Sequence, residues 1–449
     1  MINTIEYVRK MIYGLDAPVT LDNGTKAPAV NLDNAATTPP FKQVVEEIDE
    51  QLLYYGSIGR GKGQKSEHST DVYISGRDCI KNFLGAGSDD YTVLYTQNTT
   101  DGLNKLASAL IESPDDMVIT TRMEHHANDL PWRERCQTLY ADVDSQGRLI
   151  VKDIARLLEA NKGKVKYVCV TAASNVTGYV NDIHRIAKLA HRYDAKIVVD
   201  GAQMVSHRAV NMLGDRPEEN IDFFAFSAHK LYSPFGGGAV VGLKAALDKH
   251  IPQFYGGGMV DAVYDAGACY TISPDSYEAG SPNYPGVVGM LKSIEILQSI
   301  GFGYIKRVEQ FLMRRTLAGL KKLPGVILYG DCEKIADRVG VISFNLQGIP
   351  PKVVAEYLAG KHAIAVRHAA FCAHPYVRRL TGESEKNKDC HPPVGMVRVS
   401  FGIYTNEADV DIFLAAIAAM LAGDRRMLSD YNGGKSGRQY VITKPHDRG

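Results

Sequence analysis

Between about residue 90 and residue 245, short runs rich in Val, Ile, Tyr and Phe alternate with stretches of helical periodicity. The runs read YTVLYT, MVITT, KYVCVTA, KIVVD, DFFAFS and GAVVGL, and Asn181 to Ala195 carries the apolar repeat of an amphipathic helix between two of them. Strands that are apolar throughout must be covered on both faces, and intervening helices supply that cover, so the pattern predicts an α/β fold with a mainly parallel sheet. In such sheets ligands gather beyond the carboxyl ends of the strands. Residues that directly follow strands are therefore the functional candidates: His125 and His126, Asn175, Asp200, and the pair His229 and Lys230.

A chain of 449 residues, 45% of them hydrophobic, exceeds one compact domain of ordinary size. Its texture changes near residue 288. Two long helical patterns, Val287 to Ser299 and Tyr304 to Leu323, precede strand-like GVILYG, VGVISFNL, IAVRHA and MVRVSFG. We expect a large domain over residues 21–288, a smaller α+β domain from residues 1–20 and 289–425, and a polar, Gly-rich tail over 426–449. Lys plus Arg and Asp plus Glu number 51 each, leaving no charge excess to hold nucleic acid or an anionic membrane, so a small-molecule partner is expected. No apolar run reaches the length of a membrane span and the N-terminus lacks a cleavable apolar leader, which predicts a cytoplasmic protein. Seven scattered cysteines in so large a chain predict reduced thiols.

A lysine at the end of a buried strand loses hydration, which lowers its pKa and frees a nucleophilic amine able to form a Schiff base. Lys230, within FSAHKLYSPFGGG, stands at such a place. Asp200 ends KIVVD at the mouth of an apolar strand, where a carboxylate needs a cation such as a protonated pyridine nitrogen. Schiff-base lysine and pyridinium-facing carboxylate are together the pair that pyridoxal phosphate (PLP) requires. A phosphate would find donors in TQNTTDGLN, Thr96 to Asn104, at a helix start, with Ser227 and His229 completing the cradle. Singly, each residue has an ordinary structural role: Lys230 in a surface turn, Asp200 as an N-cap, His125 as a hydrogen-bonded loop histidine, TTDG as a helix cap.

The stretches NLDNAATTPP, TQNTTDGLN, MEHHANDLPW, ASNVTGYVNDI, VVDGAQMVSH, FSAHKLYSPFGGG and YEAGSPN follow in this order. Together they resemble the class V aminotransferase family of fold-type I PLP enzymes, and within it the group II cysteine desulfurases and selenocysteine lyases, over roughly residues 30 to 425. The resemblance implies a fold-type I PLP-dependent transferase with Lys230 as Schiff-base lysine, Asp200 on the pyridine nitrogen and His125 stacked on the ring. It further implies Gln203 on the phenolic oxygen with Asn175 beside it near the substrate, and Thr100, Ser227 and His229 on the phosphate. It implies a homodimer too, in which the EAGSPN loop reaches the neighbouring subunit's cofactor. Ser281 stands there where the family usually has threonine.

PLP supports several reactions, so a second feature must choose among them. RHAAFCAHP, Arg367 to Pro375, supplies a cysteine in the loop after a strand. Taking sulfur from cysteine needs a second thiolate to attack the substrate's sulfur, and Cys372 is the candidate, with Arg367 and His374 as positive neighbours favouring the thiolate. The loop resembles the family's R-x-G-x-x-C-A-x-P, with Ala369 in place of glycine and Phe371 in place of the common histidine. Arg398 matches the arginine that binds the substrate carboxylate, a task suited to a guanidinium fork. In SIGRGKG, Arg60 is retained on the substrate side while Gly59 replaces a frequent histidine. The expected function is a PLP-dependent cysteine desulfurase handing sulfur to an acceptor protein. The long segment YVRRLTGESEKNKDCHPPVGM keeps open a selenocysteine lyase or a specialised C–S lyase similar to molybdenum-cofactor sulfurases. A zinc-supported binding module using Cys372, His374, Cys390 and His391 is a further alternative, although C-x-H followed by C-H is not a common zinc spacing.

Overall fold

The computed structural model describes residues 4–59, 61–234, 236–249, 254–383 and 393–422. Seven strands form the central sheet: β1 (Tyr91–Thr96), β2 (Met117–Thr121), β3 (Gln137–Ala141), β4 (Val165–Thr171), β5 (Lys196–Asp200), β6 (Phe223–Ser227) and β7 (Gly238–Leu243). Their order is β1-β7-β6-β5-β4-β2-β3. Neighbours from β3 to β6 pair in parallel, as the apolar runs predict, whereas β7 runs antiparallel to both β6 and β1. The reversal has a simple cause: only residues 228–237 link β6 to β7, too few for a crossover back to the same end of the sheet.

Alternate residues of each strand point to opposite faces, and both faces are dry. Phe224 and Phe226 of β6, with Ile197 and Val199 of β5 and Val168 and Val170 of β4, join one core against α1 (Gln64–Phe83), α3 (Ile183–His191) and α4 (Tyr284–Ile300). Their neighbours Phe223, Ala225, Val198 and Cys169 join a second core against α2 (Thr99–Leu110) and Trp132. The exception is β3, an edge strand with only Ala141 buried, whose QTLYA lacks the apolar run that marks the others.

Beyond α4 the chain forms α5 (Phe302–Lys321) and a four-stranded antiparallel sheet in the order β8-β9-β11-β10, where β8 is Val326–Tyr329, β9 Val341–Leu346, β10 Arg367–Ala369 and β11 Met396–Ser400. The core under it comes from α5, α6 (Pro351–His362) and α7 (Glu407–Ala422), joined by Val30 and Leu32. IAVRHA is therefore two strands: Ile364–Ala365 pairs in parallel with Val30–Asn31, and after Val366 the chain changes partner to enter the sheet as β10. Among the described residues no helix is long and apolar enough to cross a membrane.

Gly201, just past the carboxyl end of β5, is packed against a side chain of β6. A Cβ at Gly201 would lie 2.0 Å from the ring of the fully buried Phe224. Gly201→Ala must displace that ring, and the substitution should lower stability by about 2 kcal/mol in chemical denaturation.

Candidate active site

One cavity of about 330 Å³ opens at the carboxyl ends of the parallel strands, and its wall includes Lys230, Asp200, His125, Gln203, Arg398 and Cys372. Asn175, Thr100, Ser227, His229 and Arg367 also line it. The topology explains the convergence. Asp200 is the last residue of β5, Ser227 the last of β6, Lys230 closes the helical turn Ala228–Lys230, and His125 caps the turn that follows β2.

Burial strips water from the Lys230 ammonium and lowers its pKa to about 8, although Asp200 pulls it upward; Arg398 pushes it further down. Burial raises the Asp200 carboxyl, against a hydrogen bond that its Oδ1 accepts from Ala202 N–H at 2.9 Å and against the charge of Lys230. His125 is neutral: burial first, then Lys230, hold its pKa down to about 3, and its Nδ1 accepts from Ala127 N–H at 3.0 Å. Behind it lies Glu124, fully enclosed, whose carboxyl burial pushes up to about 8. Glu124 accepts from Thr121 Oγ1 at 2.5 Å, Asn128 Nδ2 at 2.7 Å and Thr171 N–H at 3.1 Å, tying the His125 loop to β4. Glu124 is a support that the sequence reading missed; its signal is a carboxylate between an apolar strand and two histidines.

The opposite wall is built for an anion. Asn98 caps α2, its Oδ1 accepting from Asp101 N–H at 2.9 Å. Thr99 N–H donates to Ser227 Oγ at 2.7 Å and the two hydroxyls lie 2.6 Å apart. Thr100 lines the cavity, while the hydroxyl joined to Ser227 belongs to Thr99. His229 sits with Nδ1 3.2 Å from Thr37 Oγ1, and burial and Lys230 lower its pKa to about 4. Gln203 donates from Nε2 to the carbonyl of Ala35 at 2.6 Å.

On the remaining side, Arg398 donates from Nη1 to the carbonyl of Asn175 at 2.9 Å and from Nη2 to Asp33 Oδ1 at 3.1 Å. Its Nε is buried without a hydrogen-bond partner. A buried donor left unpaired costs about 1–3 kcal/mol. Burial lowers the Arg398 pKa to about 10, with Asp33 acting in the opposite sense. Arg367 is half exposed, with Nη1 3.8 Å from Asp33 Oδ2, so Asp33 stands between the two arginines. Asp33 lies inside NLDNAATTPP yet had no assigned role.

Cys372 is exposed on the cavity wall, in a segment with positive φ at Ala369 (89°), Phe371 (51°) and Cys372 (55°). Phe371 is buried, its ring centre 4.8 Å from the Arg398 guanidinium, and Asn175 Nδ2 donates to its carbonyl at 2.8 Å. Ala369, in place of the expected glycine, stands at a backbone angle that glycine adopts at no steric cost. Ser281 does not face Lys230: it lines a neighbouring cavity of about 650 Å³ together with Tyr255, Gly280 and Asn283. Arg60, Cys390 and His391 lie outside the described residues. Among the described residues no three metal-type side chains cluster.

The donor set matches a pyridoxal phosphate on three counts: an amine of lowered pKa, a buried carboxylate on the same cavity wall, and a helix start with hydroxyls for an anion. The aminotransferase class-V profile matches residues 30–413. The chain belongs to the aminotransferase class-V family. Members of this family depend on PLP. A probable cysteine desulfurase of Halalkalibacterium halodurans is 32% identical over 414 residues, 90% of this chain and 95% of that protein. Another, from Mycolicibacterium paratuberculosis, is 32% identical over 417 residues, which are 91% of this chain but 58% of that longer relative. The apo structure of cysteine desulfurase from Thermococcus onnurineus NA1 aligns at TM-score 0.82 with 31% identity, covering 94% of this chain and 99% of that one.

Two measurements follow from the geometry. Reductive modification of Lys230 by a small aldehyde, read by peptide mass, should rise with a midpoint near pH 8, well below that of an ordinary lysine. Ala369→Gly should raise stability by about 0.5–1 kcal/mol in denaturant titration, because relief of left-handed strain exceeds the entropy glycine adds to the unfolded chain.

Proposed function

We propose that this chain is a PLP-dependent cysteine desulfurase, which converts L-cysteine to L-alanine and holds the sulfur as a persulfide on Cys372 for a sulfur-acceptor protein. The observation that carries the reading is the meeting of Lys230, Asp200, Arg398 and Cys372 on one cavity wall. The named functions of the relatives support it.

Asp200 would hold the pyridine nitrogen, His125 the ring face, Gln203 and Asn175 the phenolic side, and Thr100, Ser227 and His229 the phosphate, with Thr99 orienting Ser227. The bound cofactor supplies an electron sink for the substrate's α-carbon. Lys230 Nζ, whose lowered pKa makes a larger fraction of it free amine near neutrality than in an ordinary lysine, tethers the cofactor and carries protons to and from that carbon. Arg398 takes the substrate carboxylate, with Arg367 at the outer rim. The Cys372 thiolate attacks the substrate's sulfur. The S–S bond forms as the Cβ–S bond breaks; sulfur is oxidised, and the released electron pair stays with the carbon, which takes a proton and becomes alanine.

The same reading assigns the cofactor to a large domain, residues 21–288, and the cysteine segment to a smaller one, residues 1–20 and 289–425. It also assigns Ser281 to a neighbouring subunit's site in a homodimer. Exposed Phe254 and Tyr255 beside Ser281, and Val263 and Tyr264 on the adjoining hairpin, support an apolar partner surface there.

Protein loaded with PLP should absorb in the visible and, given L-cysteine, yield alanine and a Cys372 peptide heavier by one sulfur. Cys372→Ser should keep the absorbance and lose cysteine-driven alanine formation by at least about a hundredfold. Undiminished alanine from that variant would sink the thiolate's role.

A further inference from the structure

His126 follows His125 on the loop after β2, but does not line the cavity. Its backbone N–H donates to the carbonyl of Cys372 at 2.7 Å, and its ring Nε2 accepts the backbone N–H of His374 at 3.3 Å. The rings of His126 and His374 meet edge to face, with centroids 4.6 Å apart. One residue thus grips the chain at the nucleophile and again just beyond it.

The segment needs such a grip. Three of its residues, Ala369, Phe371 and Cys372, hold positive φ without being glycine, a conformation that persists only where surrounding bonds over-determine it. Asn175 fixes the near side through the Phe371 carbonyl, and Ala373 N–H closes a turn onto Ala370 at 2.8 Å. Neither reaches His374.

We infer that His126 is a positioning residue that pins the Cys372 segment against the loop after β2 and so sets where the thiol meets the substrate's sulfur. The inference rests on Cys372 being the sulfur-accepting thiol. Acceptance at Nε2 requires a neutral ring with its proton on Nδ1. Burial and the neighbouring His374 hold the His126 pKa down to about 4, which preserves the lone pair.

Two variants test it in the PLP-loaded enzyme. His126→Phe keeps a ring and the backbone N–H but removes the acceptor; His126→Gln places an amide oxygen near the Nε2 position. In His126→Phe, amide hydrogen exchange across residues 370–376 should quicken by about three- to tenfold, the shift expected for one lost hydrogen bond. Alanine formation from L-cysteine should fall by a similar factor. Elimination from β-chloro-L-alanine, in which chloride leaves with its bonding pair and the product hydrolyses to pyruvate and ammonium, calls on Lys230 but on no thiol, and should keep its rate. His126→Gln should restore both altered properties. Unchanged exchange with unchanged cysteine turnover overturns the inference, as does an equal loss of both reactions. If Cys372→Ser proves as active as the wild type, the role of Cys372 fails instead, while the exchange measurement still judges the pin itself.

Discussion

A lysine and an aspartate sharing one cavity set the terms for everything around them. The buried Asp200 carboxylate, without a cation near it, would cost several kcal/mol. Each moderates the other: burial lowers Lys230 and raises Asp200, while the pair's mutual attraction opposes both shifts. The two come from the ends of adjacent strands, a separation along the chain that leaves both on one cavity wall.

That separation is a property of the sheet. Parallel pairing brings the ends of β2, β4, β5 and β6 to one edge, and their next residues face one volume. The short link from β6 then forces β7 back beside it, which holds the Lys230 turn at both ends. The wall opposite is contributed from far along the chain, by β11 with Arg398 and by the segment that carries Cys372.

Much of this was legible in the residues. The apolar runs announced the strands because both sheet faces are covered, and Lys230, Asp200 and Cys372 could be picked out because each stands where its residue type is costly or reactive. The direction of β7 was not legible in its own sequence, GAVVGL, since it is set by the length of the connection. β3 escaped because an edge strand with polar neighbours carries no apolar run. The choice between Thr99 and Thr100 turns on how Asn98 caps α2, a rotation about the helix axis that a line of text does not display. Asp33 and Glu124 were missed, and His126 was named without its contacts, because Arg398, Thr171 and His374, which meet these three residues, lie far along the chain and only the folded backbone brings them together.

The placement of Asp33 shapes how selective the cavity can be. By sharing Arg398 and Arg367, it already answers part of their positive charge before any amino acid enters. On the proposed assignment of Arg398 to the substrate carboxylate, an incoming carboxylate gains direction more than attraction, since the guanidinium is not starved of a counter-ion. On that assignment, anions that offer charge without the right shape gain little from lodging there, and discrimination passes to what the rest of the visitor presents to the thiol.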